Sequence, residues 1–226
     1  MKRLTSIAAA VTSLAAPASA ELELSLYLGA QSVQESTGTG ALPGPGGAPI
    51  SRRFNWEGRP FDAPIYYGGR AIWWTERNFG FGIEGTHAKA YASSADLAAT
   101  GLTRFELSDG QNIFTANIMK RWPGAFNNAN WTPYVGAGFG VAIPHVDALA
   151  TGAANRTYDF EATGPAARGI AGIKYNLNDK WALFSEYQIT WSDNDITIDA
   201  DPGGTPGNLN TELITHAVNI GISYSF

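Results

Sequence analysis

Apolar and polar residues alternate with a period of two along most of the chain, most cleanly at its end. Val218, Ile220, Ile222, Tyr224 and Phe226 fall on one face of an extended strand, and Asn219, Gly221, Ser223 and Ser225 on the other. Similar alternation runs through eight segments, about 22–34, 62–76, 79–92, 110–122, 132–147, 158–176, 180–193 and 211–226. Short connectors at 77–78, 124–130 and 176–179 alternate with longer ones around 35–61, 93–109, 148–157 and 194–210. An even set of antiparallel strands with short turns at one end and long loops at the other predicts an all-β, eight-stranded up-and-down transmembrane β-barrel, its short turns in the periplasm. Trp73, Trp74, Trp122, Trp131, Tyr175 and Trp181 stand beside those turns and predict an aromatic girdle. The Gly- and Pro-rich stretches 38–49 and 201–207 have too little apolar content to pack alone and read as mobile loops.

The chain opens with Lys2 and Arg3, an apolar run and Ala18-Ser19-Ala20, the pattern of a secretory signal cut before Glu21. This divides the protein into a signal at 1–20 and a barrel domain at 21–226. After residue 20 no run of eighteen apolar residues occurs, so a membrane would have to be crossed by strands, and strands can do so only as a closed barrel. The expected location is the outer membrane of a Gram-negative bacterium, reached by Sec-type export. With no cysteine, thiol nucleophiles, disulfides and thiolate metal sites are excluded. A net charge of −5 argues against a nucleic-acid partner. No heptad or other assembly code is visible, which suits a monomer.

An eight-stranded barrel has an interior filled by its own side chains, which excludes a general diffusion pore and moves function to the loops, rim or lipid-facing wall. The predicted lumen carries Glu23, Tyr27, Gln31, Arg70, Asn117, Arg168, Glu186 and Gln188, with space provided by Gly136, Gly138, Gly140 and Ala142. Charges buried there must pair for the barrel to fold, although a proton path or a catalytic pair is an alternative.

The three histidines are the sharper anomaly. Counted from the periplasmic ends of their strands, His87, His145 and His216 rise roughly 20–30 Å, to the outer-leaflet headgroups. By alternation they and Lys89 share the face of Phe81, Ile83, Val141, Ile143 and Val218, the lipid face. Either the strands end or bulge there, or these residues meet the phosphates and sugars of lipopolysaccharide. His87 with Lys89, and His145 with Asp147, are two residues apart and point the same way, within reach of one phosphate or one metal ion. Asp193-Asn194-Asp195 with Asp199 and Asp201 reads as a solvated acidic loop or a hard-cation site without the spacing of a calcium loop.

Several strings resemble the outer-membrane lipid A oxidases of alpha-proteobacteria: Pro64-Ile65-Tyr66-Tyr67-Gly68 with Arg70, Thr86-His87-Ala88-Lys89-Ala90-Tyr91, Pro133-Tyr134-Val135-Gly136-Ala137-Gly138, Pro144-His145-Val146 and Gly164-Pro165-Ala166-Ala167-Arg168. The likeness runs from about residue 60 to the end. It implies an enzyme that uses oxygen to convert the proximal glucosamine of 1-dephosphorylated lipid A to 2-aminogluconate, releasing peroxide, with a divalent metal. The candidates are then His87, His145 and Asp147 for catalysis, Lys89, Arg70 and His216 for substrate, and Glu84, His87, His145 and Asp147 for the metal. One rival is a non-catalytic barrel of envelope structure or surface binding. A lipid A deacylase or acyltransferase is a second, but the His-x-Ser pattern on one strand is missing and only a loop serine such as Ser93 is left as nucleophile.

Overall fold

The structure is a computed structural model describing residues 21–226, so the signal segment and its cleavage point lie outside the described residues. Thirteen strands, one short α-helix and a single 3-10 turn at Ala125–Asn127 form the regular structure of the described residues: β1 (Glu21–Val33), β2 (Ser36–Ala41), β3 (Pro49–Phe54), β4 (Trp56–Glu57), β5 (Tyr67–Trp74), β6 (Phe79–Ala92), α1 (Ser94–Thr100), β7 (Leu102–Arg121), β8 (Trp131–Ala142), β9 (His145–Ala150), β10 (Thr157–Phe160), β11 (Gly164–Asn176), β12 (Trp181–Ile198) and β13 (Gly207–Ser225). Eight of them close a ring, β1-β5-β6-β7-β8-β11-β12-β13 and back to β1, every pair antiparallel. The expected all-β, eight-stranded up-and-down barrel is the observed fold.

Alternation dictates which side is which. Leu26 is 69 % exposed and Ile220 68 %, with Phe81, Ile83, Phe114, Ile118 and Phe139 also exposed, so these side chains form the lipid-facing belt. The intervening positions fill the interior with polar groups, many of them paired with one another. Arg70 bonds to both carboxylate oxygens of Glu186 and stands 3.8 Å from Glu84, while Arg168 reaches Glu84 at 3.0 Å. Tyr27, Asn117 and Gln188 also hold the Glu84 carboxylate. Lys174 pairs with Glu23 nearer the periplasmic end. The residues expected in the lumen are there. So is the space expected from glycine: a Cβ on Gly138 would lie 2.0 Å from the Asn117 amide oxygen.

Two expectations are corrected. Trp73, Trp122 and Trp181 stand exposed beside the periplasmic turns, but Trp74 points inward, 2 % exposed, under the Arg121 guanidinium. It is the inward partner in the Trp73-Trp74 pair, because successive strand residues alternate.

The larger correction concerns the long loops, which are built structure. β7, β12 and β13 run on past the belt. The β2–β3 hairpin pairs with β13, β4 with β6, and β9 with the upper part of β7, while β10 joins β9. Their inward faces make an apolar core of Phe54, Trp56, Leu102, Phe105, Leu107, Val146, Ile196, Ile198, Leu209 and Leu213. Residues 38–41 and 49 pair in that hairpin and 42–48 turn between its strands, while 201–206 is a loop as expected. Asp193, Asn194 and Asp195 lie within β12 and form no cation loop; Asn194 is buried and hydrogen-bonded to Gln111 and Thr163. Asp96 anchors the helix to this head, accepting from the backbone N–H of Asn55, from Ser93 and from Arg52.

The polarity of the wall therefore inverts along a single strand. In β12 the inward face passes from Glu186, Gln188, Thr190, Ser192 and Asn194 to Ile196 and Ile198, while the outward face passes from Leu183 and Ile189 to Asp195 and Thr197. Apolar groups face lipid where lipid surrounds the barrel, and face inward where water does.

Candidate functional site

Where the polarity inverts, one side of the barrel carries a row of ring side chains across neighbouring strands. Tyr67 opens β5 opposite His87 of β6, and their rings stack with centroids 5.0 Å apart. His87 is opposite Asn112 of β7, whose side-chain oxygen lies 3.1 Å from Nδ1. That oxygen assigns the ring proton to Nδ1 and leaves Nε2 as the basic nitrogen, which has no protein partner although the residue is only 7 % exposed.

The neighbouring stretch of β7 bulges around Gly110, whose φ of +124° is one an L side chain rarely adopts, and whose missing Cβ would lie 2.6 Å from His87 Nδ1. On the other side of the bulge, the run expected as one strand over 132–147 breaks at Ile143-Pro144, and His145 opens β9. Its ring meets the edges of Tyr158 (4.4 Å) and Phe160 (4.8 Å) on β10. His145 Nδ1 is buried without a hydrogen bond, 3.6 Å from the Asp109 carboxylate that accepts from the Tyr158 hydroxyl at 2.9 Å. His87 and His145 thus flank one segment, 109–112, on strands either side of it.

The other candidates separate. Arg70 and Glu84 project into the lumen and are consumed by its ion pairs, because they occupy positions of inward parity on β5 and β6. Asp147 is buried and gripped by the guanidiniums of Arg156 and Arg104. Burial pushes its carboxyl up, but the two guanidiniums outweigh that and hold it below the usual range, whereas burial and the neighbouring Asp147 raise Glu106. Lys89 is fully buried, its ammonium donating to the Asp62 carbonyl at 2.6 Å beneath the 58–66 segment. His216 on β13 bonds with Gln34 and Tyr187, three strands around the ring from His87, about 14 Å at ordinary strand spacing.

A divalent ion on Glu84, His87, His145 and Asp147 does not fit this arrangement. One carboxylate faces the opposite side of the wall and the other is saturated by arginine. Among the described residues no three His, Cys, Asp or Glu side chains come together to hold a metal.

Sequence reasoning missed Tyr67, Asp109, Asn112 and Tyr158, which complete the row. The signal for Asp109 and Asn112 was Gly110 between them, a glycine interrupting a strand pattern. For Tyr158 the cross-strand pairing of a new hairpin was needed.

Residues 6–226 match the model of the outer membrane protein beta-barrel domain family. Among solved structures, the outer membrane protein AlkL is 14 % identical, with 100 % of this chain and 97 % of that one covered and a TM-score of 0.53. Neisserial surface protein A is 12 % identical (92 % and 97 % covered, TM-score 0.48), and OprG of Pseudomonas aeruginosa 13 % (92 % and 96 %, 0.48). No curated protein matches the sequence. At these identities the solved structures speak for the fold alone, and the family match carries the assignment: the chain belongs to the outer membrane protein beta-barrel domain family and resides in the outer membrane of a Gram-negative bacterium.

Proposed function

We propose that this barrel acts on lipid A, and that its reaction is the oxygen-dependent oxidation of the proximal glucosamine to 2-aminogluconate. The observation that carries the proposal is the row Tyr67, His87, Asn112, Asp109, His145 and Tyr158 at the outer edge of the lipid-facing belt, with two buried imidazole nitrogens lacking protein partners. The outer leaflet at that height presents lipid A sugars. Oxidation at C1 removes the C1–H and the O1–H proton and delivers two electrons and two protons to oxygen, giving peroxide and a lactone that water opens. His87 Nε2 serves as the base for the O1–H proton, and Tyr67 and Tyr158 offer ring faces and a hydroxyl to the sugar. The reaction class comes from the resemblance of the strings around His87 and His145 to lipid A oxidases.

The test is mass spectrometry of 1-dephosphorylated lipid A incubated with the refolded barrel, with and without oxygen. A gain of one oxygen atom that needs oxygen, lost in His87→Ala and His145→Ala variants that remain heat-modifiable, is the expected result. Unmodified lipid A with a verified folded barrel would overturn the oxidation and favour a binding or structural role. Loss of an acyl chain would point to a hydrolase.

A further inference from the structure

The row above lipid is followed, one step deeper, by a gap in the lipid-facing wall. Along the hydrogen-bonding direction, Tyr67–His87–Asn112 is one cross-strand row, and two residues lower on the same face Gly69 stands opposite Gly85, which stands opposite Phe114. The next row down places Ala71 opposite Ile83, which stands opposite Ala116. Four small residues on three adjacent strands thus thin the wall around the outward Ile83, with Leu26 and Phe114 leaning to 3.0 and 3.1 Å from where Gly69 and Gly85 would carry a Cβ, and the hollow is bordered by Leu24, Ile83 and Phe139 and continues to Ile222, Tyr224 and Trp181. With that continuation its volume is about 860 Å³.

We infer that this hollow seats one acyl chain of the lipid A molecule whose sugar lies at the His87 row. The inference rests on the reading of that row as a headgroup site. Continuity carries it: Gly69 and Gly85 lie directly beneath Tyr67 and His87 on the same two strands, so a lipid whose headgroup is held by the rings must send its chains down this part of the wall. The lining is apolar and within the belt, where hydrocarbon is the surrounding medium. A chain in the hollow gains van der Waals contact with the walls that a chain on a full belt of leucine and phenylalanine would not have. It also fixes the sugar against His87 by tethering it from below.

Filling the hollow tests this. An Ala71→Leu, Ala116→Leu double variant adds bulk at outward positions without touching the ring row, and Ala171→Leu, exposed on β11 outside the hollow, is the control. Native mass spectrometry of the detergent-released full barrel is run with hexa-acylated lipid A, with its fully deacylated sugar backbone and with phosphatidylethanolamine. The expected result is at least tenfold weaker retention of acylated lipid A in the double variant, unchanged retention in Ala171→Leu, and no effect on the deacylated sugar. If the double variant, still heat-modifiable, keeps lipid A like the wild type, the acyl seat is refuted while the headgroup reading stands. If the double variant loses lipid A but His87→Ala does not, the hollow is upheld and the headgroup reading falls. Equal loss of phosphatidylethanolamine in the double variant would also refute a seat for lipid A, since the hollow would then be holding any lipid.

Discussion

Replacing Glu186 by Gln keeps the shape of the side chain and removes one charge from a closed set of four. Glu186 accepts hydrogen bonds from Arg70, from the Tyr134 hydroxyl at 2.6 Å, from Gln188 at 2.8 Å and from Asn219 at 3.2 Å, all inside the barrel. In the wild type Arg70 and Arg168 are balanced by Glu84 and Glu186. In Glu186→Gln both guanidiniums must share Glu84, 3.8 Å from one and 3.0 Å from the other, with no water-exposed route to screen them. Breaking a buried pair from one side costs about 3–5 kcal/mol, and the same range is expected here. Removing both partners, as Arg70→Met with Glu186→Leu, leaves no unpaired charge and should recover most of that loss, although Tyr134, Asn219 and Gln188 each forfeit a bond at about 1 kcal/mol apiece, Gln188 keeping its bond to Glu84. Urea titration of the barrel in lipid vesicles, followed by heat-modifiable gel mobility and tryptophan fluorescence, measures both variants. A loss below about 1 kcal/mol in Glu186→Gln, or a double variant as unstable as the single one, would refute the view that charge balance rather than shape holds the lumen together.

Three further outcomes follow from the head and the ring row. Burial opposes ionisation of Asp96, yet its bonds to Asn55, Ser93 and Arg52 bring the carboxyl from an ordinary 3.8 to about 2. It therefore contributes on the order of 2 kcal/mol above pH 3.8 that is lost as pH falls through about 2. Limited proteolysis should cut the α1 segment of Asp96→Asn at neutral pH, whereas the wild type resists until strong acid; equal resistance would refute the anchor. Asp147→Asn strips Arg104 and Arg156 of their shared acceptor and should loosen the β9–β10 hairpin by about 2 kcal/mol, seen as faster amide exchange in residues 145–160 with the barrel strands unchanged. Elemental analysis of the purified barrel should find no stoichiometric divalent metal that depends on His87 or His145; one equivalent lost in either alanine variant would overturn the conclusion that these donors do not converge.

The ring itself was legible because lipid imposes the same rule on every strand, apolar outward and polar inward, and a period of two survives any local detail. The head was not, because the rule changes sign above the membrane. Ile196, Ile198, Leu209 and Leu213 keep the parity of the lumen residues below them, so their stretches look like decaying alternation until the surrounding medium is known. The same boundary hid the site. His87 and His145 could be placed at the outer edge by counting residues, but their relation depends on the bulge at Gly110 and the break at Pro144, which no periodicity encodes. Arg70 and Glu84 carried the right chemistry on the wrong face, an error that parity alone corrects.

The apolar core of the head decides where this protein can change without harm. In a barrel with loose loops, whole exposed segments are open to insertion, tagging and drift under immune or phage pressure. Here a substitution at Phe54, Leu107 or Ile198 would cost folding as much as one in any globular core. Freedom lies in the exposed turns and connectors, about 61–65, 151–156 and 201–206. An epitope inserted there would display on the cell surface, and variation among related chains should collect at those stretches rather than in the paired strands of the head.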